Sequence, residues 1–244
     1  MKKFNYLGTI LLAFFLLLAI PMTSYAVPFT GSSGNLAAQA DFEIVAGNNL
    51  QVTLTNTSAS DVLIPAEVLT AAFFDIGGVA ALTPVSALLD GSVVLFGSDG
   101  GGNVGGEWAY ASSILAPGGA TEGISSAGFG LFGNANFGGA NLQGPVAVGG
   151  VQYGITSTGD NTATGNAAVT GGNALIQDSV VFTLGGLPAG FTLDGNISNV
   201  SFQYGTALTE PNVPSNPVPE SGTMFLLGFG LIGIAAFGRK KLIR

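Results

Sequence analysis

The chain of 244 residues is 47% hydrophobic but only 8% charged, and its 39 glycines follow no Gly-x-y period. A typical soluble domain carries about 25% charged residues, so neither a highly charged disordered chain nor collagen fits. All six Lys and Arg lie at the ends (Lys2, Lys3, Arg239, Lys240, Lys241, Arg244), and residues 4–238 hold no Lys, Arg, His or Cys. This excludes Ser-His-Asp and cysteine nucleophiles, His- or Cys-ligated metals, disulfides, lysine Schiff bases, P-loops and phosphate-neutralising nucleic-acid surfaces.

The first element is a leader. Met1-Lys2-Lys3 precedes an apolar run from Leu7 to Ile20, and Ser24-Tyr25-Ala26 closes it with small residues. A basic start, an apolar stretch too short to span a bilayer and a small-x-small site read as a signal helix over residues 1–26. Cleavage by signal peptidase between Ala26 and Val27 would start the mature chain at Val27.

Residues 27–208 read as one all-β domain, a β-sandwich or jelly roll. Leu36, Ala38, Ala40, Phe42 and Ile44 alternate, Gly47-Asn48-Asn49 follow as turn residues, and Leu50, Val52 and Leu54 alternate again. That pattern predicts a hairpin. Further strands are expected at Ser92–Phe96, Trp108–Leu115, Val151–Thr156, Ser179–Leu184 and Val200–Tyr204, all rich in Val, Thr, Phe and Tyr. Glu67–Phe74 fits a short helix or a strand. A body of this size can bury a core without disulfides.

Three segments of the body carry residues that bear on chemistry. Asp99-Gly100-Gly101-Gly102-Asn103 is acidic and turn-like, with neither EF-hand spacing nor a Gly-Gly-x-Gly-x-Asp repeat. It reads as a solvated turn. No cofactor and no metal ligand set are expected, and calcium gathered by separate loops is the one cation the acidic body would suit. Glu107, Trp108 and Tyr110 form an aromatic-plus-acid cluster that could stack a sugar, although a strand with two inward rings is the simpler reading. A glycosidase would need a second carboxylate, for which Asp90, Asp99 and Glu122 are the candidates. Residues 135–144 repeat an Ala-Asn-x-x-x pattern twice, too few for a solenoid, and read as a loop.

Thr209–Pro217 (TEPNVPSNP) has three prolines and no apolar period, so a linker is expected there. Residues 218–244 form a three-part tail. Val218-Pro219-Glu220-Ser221 is the motif, Thr223–Gly238 is an apolar helix of about 24 Å, and Arg239–Arg244 is a basic end. By the positive-inside rule the basic end stays cytoplasmic while the signal exports the body. The tail thus reads as a single transmembrane sorting helix.

These residues resemble the PEP-CTERM sorting signal of exported Gram-negative proteins, with Ser221 where the family commonly has proline. The resemblance implies export, recognition by an exosortase at Val218–Ser221, and an inner-membrane-anchored intermediate. It further implies delivery to the cell surface or extracellular matrix of a bacterium that makes extracellular polysaccharide. The body resembles exosortase-dependent surface proteins at Leu50–Ser58, Gly106–Tyr110 and Ser201–Thr206, a likeness that carries no catalytic residues. The expected role is structural and biofilm-associated, with polysaccharide a partner and nucleic acid not. A carbohydrate- or calcium-binding adhesion module is the alternative, and a two-carboxylate hydrolase a more remote one. No enzymatic activity is expected.

Overall fold

The computed structural model describes residues 26–133, 136–140, 142, 150–164, 169 and 173–217. The expected signal helix, apart from Ala26, and the expected sorting helix over 218–244 lie outside the described residues. Among the described residues no helix is long and apolar enough to cross a membrane.

Among the described residues fourteen strands follow in chain order. They are β1 (Val27–Ser33), β2 (Leu36–Val45), β3 (Asn49–Asn56), β4 (Leu69–Ile76), β5 (Thr83–Leu88), β6 (Val93–Leu95) and β7 (Ala109–Ser112). The rest are β8 (Glu122–Ser125), β9 (Ile155–Thr156), β10 (Leu175–Gln177), β11 (Ser179–Gly185), β12 (Ile197–Tyr204), β13 (Asn212–Pro214) and β14 (Asn216–Pro217). Among the described residues only short 3-10 turns interrupt them, so the described body is all-β as expected.

The strands make two sheets. The first has the order β14-β1-β2-β3-β11-β5 and is antiparallel throughout. The second runs β13-β12-β4-β9-β10-β6, with β8 also on β4 and β7 beyond β8. Its one parallel pairing joins β9 to β10.

The first sheet follows directly from alternation. Phe42 pairs with Val52, and Ala40 with Leu54, so apolar residues of β2 and β3 share one face. Val180, Phe182 and Leu184 of β11 continue that face. Gly47 and Asn48 turn the chain with φ of 83° and 55°, values that glycine and asparagine accept at least cost. The second sheet meets this face across a common core, where the Phe42 ring lies edge-on to Phe74 of β4 with centroids 5.3 Å apart.

Glu67–Phe74, left between helix and strand by the sequence, resolves into a 3-10 turn at Pro65–Glu67 and strand β4. All but one residue of β4 are buried, because both its faces are covered. Ala72 and Phe74 face the common core. Ala71 and Phe73 face a second cluster with Ala109, Ala116, Ala120 and Phe132. A strand covered on both sides loses alternation and reads as an unbroken apolar run.

The expected linker is not a free segment in its second half. Asn212–Pro214 pairs with β12, and Asn216–Pro217 pairs with β1. Between them Ser215 donates from its amide and its hydroxyl to the Val200 carbonyl, at 2.9 and 2.8 Å. The chain therefore crosses from the edge of the second sheet to the edge of the first. Proline lacks an N–H and is tolerated at a sheet edge, which is where Pro214 and Pro217 sit. Gly31 makes room for this strap, since a Cβ there would come 2.9 Å from the Pro214 carbonyl oxygen.

Candidate functional site

The aromatic-plus-acid cluster lies inside the protein. A 3-10 turn, Gly105–Glu107, leads into β7 and carries Glu107 and Trp108 inward. Glu107, Trp108 and Tyr110 are 5%, 0% and 3% exposed. The Trp108 ring packs on Phe182 with centroids 4.9 Å apart, and Phe137 covers the same Phe182 ring at 5.2 Å. No face of Trp108 or Tyr110 is open for a sugar to stack on, so the platform reading is corrected to a core role. Phe137 comes from the Gly/Asn-rich segment read as a loop. It is anchored there by Asn136, whose amide donates to the Gly106 carbonyl at 2.8 Å.

The acids of that region are committed to neutral donors. Glu107 accepts the Leu142 amide at 2.9 Å. Tyr110 donates its hydroxyl to Glu122 and accepts the Leu82 amide at 3.1 Å. Burial pushes the Glu122 carboxyl above its ordinary range; the Tyr110 hydrogen bond opposes that and the nearby Asp75 charge adds to it. Burial likewise pushes the Tyr110 hydroxyl up, reinforced by Glu122. Glu122 is thus bonded to a tyrosine, while Asp90 and Asp99 are on exposed turns. Asp99 caps its own turn by accepting the Gly101 amide at 3.0 Å.

Among the described residues no group of three His, Cys, Asp or Glu side chains could hold a metal ion. One carboxylate pair, Asp61 and Asp160, does come together from loops almost a hundred residues apart. Neither residue stands in a motif. The only sequence signal was indirect: every body charge is negative, so any two carboxylates that meet lack a basic partner.

The first residue of the expected mature chain and the residue before the Val218–Ser221 motif stand near one end of the first sheet. Val27 is the first residue of β1, and Pro217 is the last residue of β14. In register Phe29 faces Pro217, and Thr30 faces Asn216. Ala26 and Val27 therefore stand within two or three residues of the point where β14 ends, one strand spacing of about 4.8 Å away. Val218, Pro219, Glu220 and Ser221 themselves lie outside the described residues.

Fold and ends together define a class: an all-β body whose first and last strands are neighbours, continued by a terminal segment that begins where the last strand stops. Residues 217–241 match the PEP-CTERM protein-sorting motif. The chain carries that motif, which implies exosortase recognition, export and a membrane-anchored sorting signal. The match covers the tail and not the body. Comparison with curated proteins gave no match, and comparison with solved structures gave none.

Proposed function

We propose that the protein is an exported structural component of a Gram-negative cell surface or extracellular polysaccharide matrix, trimmed at both ends and without catalytic activity. The observation that carries this reading is the position of the sorting motif. It starts on Pro217, the last residue of β14. Signal peptidase would cut beside β1 and an exosortase beside β14, at one pole of the body. Before trimming, both apolar segments would leave from that pole, so the body would hang from one membrane by two neighbouring strands. After trimming, little is left beyond the sheets.

A structural role accords with the interior. The most distinctive side chains, Trp108, Tyr110 and Glu122, are committed to the core. The adhesion alternative therefore has to rest on another surface than the aromatic cluster.

Intact mass of the protein recovered from a host that has an exosortase tests the reading. The expected species begins at Val27 and ends near Pro219 or Glu220. A mature species that still carries Arg239–Arg244 would overturn tail removal and leave a membrane anchor. A mass that begins at Val27 and keeps the tail, in a host that lacks the exosortase, is the matching control.

A further inference from the structure

We propose that Asp61 and Asp160 form a calcium site that clasps two loops, residues 57–64 and 157–164. The loops are already cross-tied. Asp61 accepts the Asn161 amide at 2.9 Å through one oxygen and the Thr164 hydroxyl through the other. In return Asp160 accepts the Val62 amide at 3.1 Å through Oδ1. Ser157 donates to the Ser60 carbonyl at 2.6 Å. The contact is close enough that a Cβ at Gly159 would stand 2.3 Å from the Ala59 carbonyl oxygen.

One atom in this arrangement is left over. Asp160 is 8% exposed, and its Oδ2 is buried without a hydrogen-bond donor. The side chains that face Asp160 are another carboxylate, Asp61, and the Thr156 hydroxyl. Two facing carboxylates repel, and a buried unpaired one is costly. In most proteins a Lys, Arg or His would close such a gap, but residues 4–238 contain none. A proton shared with Asp61 or a cation from solution is what can close it.

Carboxylate and neutral oxygens suit a hard cation, and irregular loops suit calcium's flexible six to eight oxygens better than magnesium's strict octahedron. The same loops carry the Thr164 hydroxyl, the Asn161 side-chain oxygen and the Ser60 carbonyl, engaged respectively by Asp61, the Ala163 amide and the Ser157 hydroxyl. With only two carboxylates, affinity belongs to the weak class of extracellular modules, about 0.1–1 mM. Such a site works where calcium is millimolar, which suits an exported body; the geometry stands without the export reading.

The acids are also set apart from each other. Burial, with Asp61 beside it, pushes the Asp160 carboxyl above its usual range. The Thr164 hydroxyl and the Asn161 amide hold Asp61 below its own. Asp61 is the one titratable group that faces Asp160.

The test uses the full chain in detergent micelles, stripped with EDTA and melted in calcium or magnesium chloride at matched ionic strength. Calcium at 10 mM is expected to raise the midpoint by about 3–10 °C, with half the effect at about 1–2 mM and a smaller rise with magnesium. Asp160→Asn should melt no lower than the unaltered chain in EDTA, because its amide can donate to Asp61, and should lose the calcium response. Asp99→Asn should keep it. Equilibrium dialysis with radioactive calcium should find about one ion per chain at 2 mM, and Asp61→Asn should abolish that ion if Asp160→Asn fails to fold. No calcium-specific rise, or a rise that survives Asp160→Asn, would overturn the site in favour of a shared proton or a bridging water.

Discussion

The two sheets handle polar groups in different ways. In the first sheet, β2, β3 and β11 send alternate residues to solvent, and Asn56 is the only fully buried polar residue on those strands. In the second, Thr70, Glu122, Ser125, Thr156, Ser201 and Gln203 are all buried within strands. The difference comes from coverage. A sheet with one wet face places its polar side chains in water. A sheet covered on both faces must bond them internally. Thr70 donates to the Gly205 carbonyl at 2.6 Å, Ser125 to the Ala127 carbonyl at 2.5 Å, and Gln203 to the Tyr204 carbonyl at 3.0 Å. The first sheet is held by apolar shape and the second by shape plus an internal polar network, from which the Gln203 Oε1 and the Tyr204 hydroxyl are left out.

The contrast can be broken most forcefully at the shared core. Phe42→Ala removes a fully buried ring that touches both Phe29 and Phe74. It should cost about 3–5 kcal/mol in urea unfolding. A loss under about 1 kcal/mol would show that the sheets do not depend on a common core. Next comes the covered face of the second sheet. A Cβ at Gly123 would lie 2.8 Å from the Phe73 ring and 2.9 Å from that of Phe132. Gly123→Ala should cost about 1–3 kcal/mol by overpacking. A neutral result would mean that the loop over this face lifts freely.

Glu122 sharpens the comparison through pH. Its carboxyl is raised in the folded state, chiefly by burial. The folded protein then holds that proton more tightly than the unfolded chain does. The stabilisation is complete below the ordinary carboxyl range, about pH 4, and is lost as pH rises through the raised value. Glu122→Gln should therefore flatten the decline in melting temperature between about pH 4 and 7, leaving the part due to Asp160. An unchanged slope would show that Glu122 does not titrate in that window. The smallest effect belongs to Tyr204, whose hydroxyl is buried without a partner. Removing an unpaired buried hydroxyl removes its desolvation penalty. Tyr204→Phe should be neutral or more stable by up to about 1 kcal/mol. A clear loss in the same urea titration would reveal a bond to that oxygen and a still wetter second sheet.

The same contrast explains what could be read from the residues. Alternation through Ala38, Ala40 and Phe42 and through Leu50, Val52 and Leu54 showed the hairpin, because one face of that sheet is wet. The run Leu69–Phe74 showed no period, because both faces of β4 are dry. Short strands such as β8, whose Gly123 lies under Phe73, have too few residues to display a pattern. The prolines of TEPNVPSNP signalled a linker, yet the same missing N–H suits them to the two sheet edges. Trp108 and Tyr110 were legible as inward-facing residues from their spacing. The pairing of Tyr110 with Glu122 and of Asp61 with Asp160 arises only through tertiary contact. The sorting motif was fully legible, because processing signals are read from the linear chain.

The crossing of residues 212–217 from one sheet edge to the other also has a mechanical side. A tether pulling on Pro217 would load β14 first, and β14 holds β1 at only two register positions. Tension would pass next to the pair of bonds from Ser215 to Val200, and then to the three register positions of β13 on β12. The strap is a graded release, yielding stepwise at its weakest end while β1–β2–β3 and the core beneath remain intact.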